Sequence, residues 1–126
     1  MLFPKSIEQK IGFDQVRSFI KNQCLSIEGT AYVEKMGFLT SQEKVEKLLN
    51  QTWEMQQVFT LGHNFPLKSF DNIKPSLAKA IIAGSFLEAD ALLTLKKFID
   101  IASDVIVFLN KHREEFPSLF RLTEKL

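Results

Sequence analysis

The chain has 126 residues, enough for one domain of ordinary size with a real hydrophobic core. Hydrophobic residues make up 45% and charged residues 25%, a globular composition that excludes a disordered or fibrous protein. Sixteen Lys and Arg oppose fifteen Asp and Glu, so the net charge of +1 argues against autonomous, tight nucleic-acid binding through phosphate contacts.

Two features predict a cytoplasmic protein with no membrane attachment. The start, MLFPKSIEQK, lacks the apolar core and cleavage site of a secretory signal. The longest apolar run, 105–109, is far shorter than the roughly 20 residues that span a bilayer. The single cysteine, Cys24, excludes an internal disulfide framework and fits a reducing compartment, where we expect it to be a small buried hydrophobe.

Helical periodicity runs through the chain, and no segment shows sustained strand alternation. In chain order, the pattern predicts helices near residues 4–11, 13–24, 27–36, 41–61, 75–83 and 86–114, with a last helical segment from Pro117. Ser26 is expected to cap the third helix and Thr40 or Ser41 the fourth. The sequence therefore predicts one all-α domain over residues 1–126, a multi-helix bundle with two long helices at about 41–61 and 86–114.

Apolar stripes predict which helix faces are buried. The expected inward residues of the second, third and fourth helices are, in order, Phe13, Val16, Phe19, Ile20 and Cys24; Tyr32, Val33 and Met36; and Val45, Leu48, Leu49, Thr52, Met55 and Phe59. Residues 62–74 form the only extended loop, and its two phenylalanines predict that it packs against the body. The Ser-x-x-Glu spacing of Ser85 and Glu88 predicts a capping box before the longest helix.

The longest predicted helix, 86–114, has two apolar sides. The stripe through Phe98 and Val105 is expected to be core, and Ile101 and Phe108 lie on another side. A central helix surrounded by its neighbours is the favoured account, and a side that meets a partner or another domain is the alternative. On the alternative, Ile101, Phe108 and the tail 116–122 should drive self-association.

No catalytic or cofactor motif is present in the chain. Its five glycines never approach the Gly-x-x-x-x-Gly-Lys-Ser/Thr spacing that holds nucleotide phosphates, so we expect no enzyme activity and no cofactor in this chain. The nearest metal-like grouping is His112 with Glu114 and Glu115, which we expect to be a solvated helix end. His63 lies in the loop and is expected to be satisfied or exposed. No metal site is predicted.

One mildly basic stretch is the only candidate for nucleic-acid contact. It comprises Lys68, Lys74 and Lys79, with Phe65 and Phe70 interleaved where they could stack on bases. The favoured alternative is that the lysines keep the surface hydrated while the two rings pin the loop to the core.

Several short motifs follow one another in a recognisable order. They are Gly12-Phe13-Asp14-Gln15-Val16, Ser26-Ile27-Glu28-Gly29, Leu39-Thr40-Ser41, and the series Pro66-Leu67, Ile73, Pro75, Leu77, Ala80, Gly84 and Leu92. Together they resemble the N-terminal region of the second MutS family, the recombination- and repair-associated relatives of the mismatch-repair protein MutS. Two departures are Leu67-Lys68-Ser69, where many relatives have Leu-Gly-Gly, and Ala83-Gly84, where many have Gly-Gly.

The resemblance implies that the chain is an N-terminal fragment of a much longer protein, similar to the helical core and lever region that joins the MutS clamp to its ATPase. Full-length proteins similar to it are homodimeric ATPases that use ATP and Mg²⁺, bind branched or duplex DNA and suppress recombination in DNA repair. They carry a C-terminal nuclease domain, and some relatives act on stalled ribosomes. No catalytic residue is carried over, because the family's nucleotide and nuclease sites lie beyond residue 126. The alternative function is a stand-alone helical adaptor that binds a partner helix through residues 86–114.

Overall fold

A computed structural model describes residues 6–124 of the chain, and in that range it contains seven α-helices and no β-strand. The helices are α1 (Ile7–Lys10), α2 (Phe13–Asn22), α3 (Ile27–Glu34), α4 (Gln42–Thr60), α5 (Lys74–Ala80), α6 (Ala89–Lys111) and α7 (Pro117–Phe120). The all-α prediction and the two long helices are confirmed, although α6 is three residues shorter at each end than the predicted 86–114. None of the described helices combines the length and apolar character needed to cross a membrane. Pro4, predicted to open the first helix, lies outside the described residues.

The chain divides into two compact units. The first contains α1, α2, α3 and the short segment Ser69–Asn72, and the second contains α4, α5, α6 and α7. The expectation of a single domain over 1–126 stays a prediction.

In the first unit, local caps and one arginine hold the three helices. The Ser26 hydroxyl accepts a hydrogen bond from the Gly29 amide at 3.0 Å, which confirms the predicted cap of α3. The Arg17 guanidinium on α2 donates to the Glu8 carboxylate at 2.9 Å and to the Met36 carbonyl at 2.8 Å. One side chain on α2 therefore connects α1 with the chain just beyond α3.

The apolar stripe predicted for α2 is wrong in part. Phe19 is 69% exposed, and Val16 and Ile20 are exposed as well. In α3, Val33 is buried as predicted, whereas Tyr32 is exposed. The physical reason is that α2 meets α1 and α3 through the side that carries Arg17, so most of its stripe has no described element to cover it.

A second ion pair of the first unit joins α2 to α3. The Lys21 ammonium lies 2.6 Å from the Glu34 carboxylate. The hydrogen bond from Lys21, followed by the charge of Lys21, holds the pKa of Glu34 below its ordinary value. A carboxyl group with a lowered pKa in the folded state stabilises the fold above its unfolded pKa, and that contribution is lost as the pH falls through the folded pKa.

Replacing Lys21 by Met should therefore raise the pKa of Glu34 towards its ordinary value, because both lowering contributions come from Lys21. Carboxyl ¹³C NMR titration measures the change directly. Lys35→Met is the matched control, since it removes the same charge from an exposed position next to Glu34. Equal pKa values of Glu34 in the Lys21→Met variant and the unchanged protein would contradict the assignment.

The core of the second unit lies at the C-terminal ends of both long helices. Its buried members are Val58 of α4, Leu109 of α6, Phe116 and Leu119. Partly buried side chains pack around them, namely Met55, Phe65, Val105, Phe108 and Phe120. The short helix α7 contacts both α4 and α6, whereas the two long helices make little direct contact with each other. The two long helices therefore do not pack side by side along their length; their C-terminal ends meet around α7. The predicted packing of the loop against the body is confirmed at Phe65.

The buried face of α4 differs from the predicted stripe. Leu48, Leu49, Thr52 and Phe59 are exposed, and Glu54 and Val58 are the buried residues. The stripe was drawn through the apolar residues, but α7 is the element that covers α4 among the described residues, and it selects the face that carries Glu54.

The buried face of α6 also differs from the prediction. Ile101 is buried and Phe108 packs against the core, so neither forms the free side that was expected to drive self-association. In the tail 116–122, Phe116 and Leu119 are likewise buried, whereas Leu122 is 51% exposed. The side chains that α6 does leave exposed are Leu92, Leu93, Ile99 and Val107. The favoured account of a fully surrounded central helix is therefore wrong.

The predicted capping box before α6 is absent. Glu88 is the N-cap residue, but its side chain makes no capping hydrogen bond. The Ser85 hydroxyl instead donates to the Lys79 carbonyl at the end of α5. Gly84 adopts a positive φ of 80°, so the chain turns there and Ser85 faces back towards α5.

The start of α7 is held by a buried carboxylate from α4. Pro117 lacks an N–H, so the first free donors of α7 are the amides of Ser118 and Leu119. They donate to the two oxygens of Glu54, at 3.0 and 2.8 Å respectively. Glu54 is only 5% exposed, so this buried charge is compensated by two hydrogen bonds and by the positive end of the helix dipole.

Removing this carboxylate should destabilise the second unit. Glu54→Ala should lower the free energy of unfolding by about 2–3 kcal/mol, because it leaves two amides without an acceptor in a closed environment. Glu54→Gln keeps one carbonyl oxygen and should cost less. Gln56→Ala, an exposed change on the same helix, should stay within about 0.5 kcal/mol.

Urea unfolding followed by circular dichroism separates these three variants. Equal midpoints for Glu54→Ala and Gln56→Ala would show that the start of α7 does not depend on Glu54.

Candidate functional site

The three lysines predicted to contact nucleic acid all lie at exposed positions of the second unit. Lys68 is in the loop before α5, and Lys74 and Lys79 are on α5 itself. The Lys79 ammonium lies 5.5 Å from the centre of the Phe86 ring, in a cation–π contact. Phe65, which was considered as a base-stacking ring, packs against the core instead. Contact of the three lysines with nucleic acid stays a prediction. Phe65 pins the loop to the core, which is the alternative that the sequence favoured.

A second grouping was missed by sequence reasoning. His63, His112 and Glu115, here called the His–Glu cluster, bring two imidazoles onto one carboxylate. The Nε2 atom of His63 lies 3.3 Å from one oxygen of Glu115, and the Nδ1 atom of His112 lies 3.0 Å from the other. His112 thus pairs with His63 and Glu115 rather than forming the predicted solvated grouping with Glu114.

Backbone hydrogen bonds position each member of the cluster. Gly62 turns the chain at the end of α4 with a φ of 76°, and the His63 amide then donates to the Val58 carbonyl at 3.0 Å. His112 ends α6, and its carbonyl accepts from the Glu115 amide at 3.0 Å. The ends of the two long helices therefore deliver the three side chains to one place.

Phenylalanine rings form one side of the cluster. The ring centres of His63 and His112 are 4.5 Å apart, and the ring centre of His112 lies 4.6 Å from that of Phe108. His63 also meets Phe116 edge to face at 5.6 Å. Because Phe108 and Phe116 belong to the core junction, both imidazoles are oriented by well-packed neighbours.

The cluster has an electrostatic signature at its carboxylate. The hydrogen bond from His112 is the largest influence on Glu115, and His63 adds a smaller one in the same direction. Together they hold the pKa of Glu115 below its ordinary value, against a partial desolvation that raises it. The ionised carboxylate is therefore the favoured form next to the two rings.

The same atoms form a set that could hold a metal ion. One ligand atom from each of the three residues lies within 4.8 Å of the others, and residues 6–124 contain no second group of this kind. Sequence alone could not find the set, because 52 positions separate His63 from Glu115. The only feature of the sequence that could have suggested the set is that each histidine closely follows one of the two long helices.

Comparison with known proteins finds distant relatives along nearly the whole chain. The chain is 28% identical over 121 residues to Endonuclease MutS2 of Streptococcus agalactiae serotype Ia and 27% identical over the same length to that of Streptococcus pyogenes serotype M5. Against Endonuclease MutS2 of Staphylococcus haemolyticus the identity is 32% over 104 residues. These matches cover 95%, 95% and 82% of this chain.

The relatives are much longer proteins. The chain spans only 15% of the two streptococcal relatives and 13% of the staphylococcal one. The resemblance to a small N-terminal portion of MutS2 is thereby confirmed. No protein-family model matches the chain, and no solved structure matches it with significance.

Proposed function

We propose that the chain is a helical scaffold of a MutS2-like, DNA-binding ATPase that acts in DNA repair and restrains recombination in the cytoplasm. The observation that carries the proposal is a match to MutS2 over 95% of the chain. The all-α architecture agrees with a core or lever segment, whose task is to connect other domains. ATP, Mg²⁺ and any endonuclease chemistry belong to other parts of the full-length protein in this proposal, and this chain supplies no catalytic residue.

Exposed apolar side chains on both long helices support a scaffold role. Trp53 of α4 is 59% exposed and Val107 of α6 is 67% exposed, and each helix carries further exposed large apolar side chains. Apolar surface that is repeated along helices is typical of protein–protein contact. In the proposal, the remaining domains or the second subunit of a homodimer cover these faces.

The size of the native protein tests the proposal. An antibody against the 126-residue chain should detect, in cells that produce it naturally, a protein several times heavier than 14.5 kDa, because the matched relatives are several times longer. That protein should elute as a dimer and hydrolyse ATP after immunopurification. A native protein of 14.5 kDa alone would contradict the scaffold proposal.

That contrary result would favour the second candidate, a stand-alone adaptor. The specific observation in its favour is one side of α6 with four exposed apolar residues, Leu92, Leu93, Ile99 and Val107, which they share with the exposed Lys96–Asp100 ion pair. Such a side is suited to packing against an amphipathic helix of a partner.

The isolated chain should bind DNA weakly. With a net charge of +1, duplex DNA should bind with a Kd above about 1 µM at physiological salt. Replacing Lys68, Lys74 and Lys79 by Gln should weaken binding further and reduce the salt dependence by about one unit of log–log slope per lysine that contacts phosphate.

Fluorescence anisotropy at several salt concentrations measures both quantities. The matched control replaces Lys35, Lys44 and Lys47, three other exposed lysines, and removes the same total charge. If the two triple variants bind DNA equally well, the predicted contact surface is wrong.

A further inference from the structure

We propose that the His–Glu cluster binds a divalent transition-metal ion of the zinc class. His63 Nε2, His112 Nδ1 and one carboxylate oxygen of Glu115 would be the three protein ligands. Two imidazole nitrogens and one carboxylate oxygen form a donor set that zinc accepts, with the fourth tetrahedral position left for water.

The distances in the cluster suit such an ion. In a tetrahedral site with bonds of about 2.0–2.1 Å, neighbouring ligand atoms lie roughly 3.3 Å apart. One oxygen of Glu115 lies 3.3 Å from His63 Nε2 and the other lies 3.0 Å from His112 Nδ1, so the carboxylate has to turn to present a single oxygen to the ion. All three ligand atoms fall within 4.8 Å of one another, so the ion requires small side-chain rotations and no movement of the helices.

Metal binding determines which nitrogen of each imidazole ring carries the proton. Without an ion, each imidazole can donate an N–H to Glu115, which satisfies the carboxylate. With an ion, His63 Nε2 and His112 Nδ1 each present a lone pair to the metal. The proton of each neutral ring then resides on its other nitrogen, Nδ1 of His63 and Nε2 of His112.

The surroundings restrict the two rings before any ion arrives. Phe116 is almost fully buried and contacts His63 edge to face, while Phe108 lies against both imidazoles. Little side-chain conformational entropy of the two rings is therefore lost when the ion binds. An ion at this point joins the exit of α4 to the turn between α6 and α7, so it should stabilise the second unit by mass action.

The cluster is also accessible from solvent. His112 and Glu115 line a surface cavity of about 610 Å³ together with Lys111, Arg113 and Glu114. The cations Lys111 and Arg113 oppose a divalent ion and Glu114 favours it, so coordination by the three ligands has to supply the affinity.

Zinc titration of the full 126-residue chain tests the proposal. The protein is first treated with a chelator, and Cys24→Ser is introduced throughout so that the single thiol cannot bind the ion. The chain has only two histidines, so every imidazole NMR signal belongs to one of these two rings. We expect both rings to change together and to saturate at one equivalent of Zn²⁺, with an increase in Tm.

Matched variants identify the ligands. His63→Gln and His112→Gln should each weaken zinc binding, measured by calorimetry, by more than the roughly 10–100-fold that loss of a supporting hydrogen bond costs. Glu115→Gln should abolish the zinc-dependent increase in Tm. Glu114→Gln, which changes the adjacent carboxylate outside the cluster, should lower the zinc affinity far less than Glu115→Gln and should keep the zinc-dependent increase in Tm.

Three results would overturn the proposal. They are a response of only one imidazole or of neither, an affinity that Glu114→Gln lowers as much as Glu115→Gln, and a Tm that zinc does not raise. The imidazole readout uses the chain with both histidines present, so it decides the question even if a histidine variant fails to fold.

Discussion

The second unit depends on a carboxylate of α4 that reaches the start of a four-residue helix. A helix as short as α7 has no stability of its own, because almost all its amides and carbonyls belong to its ends. Pro117 removes one donor, and Glu54 accepts from the next two. With α7 fixed in this way, Phe116 and Leu119 enter the cluster with Val58 and Leu109, and the ends of α4 and α6 become one junction.

Helix positions could be predicted from the sequence because they are set locally. Ser26 and Ser41 cap α3 and α4 as predicted, and α4 ends within one residue of the expected position. Buried faces could not be predicted, because they depend on which element arrives from elsewhere in the chain. Periodicity ranks Glu54 as a surface residue, and only the amides of α7 make its burial favourable.

The candidate sites show the same division between local and distant information. Lys68, Lys74 and Lys79 could be singled out as a local run, and all three are exposed. His63 and Glu115 could not be paired, since no local pattern links positions 52 apart. Their approach results from two helix ends meeting at α7, which is a property of topology rather than of spacing.

Packing and polar chemistry in the second unit are concentrated where the long helices end. The core cluster, the Glu54 contact and the His–Glu cluster all lie there, and the rings of Phe108 and Phe116 belong to both the core and the His–Glu cluster. Along the rest of α4 and α6, large side chains such as Trp53 and Val107 face solvent. In the scaffold that we propose, other domains would dock on these two arms, α4 and α6, and the junction would set where the arms begin. An ion bound at the junction would then act on the element that both arms share.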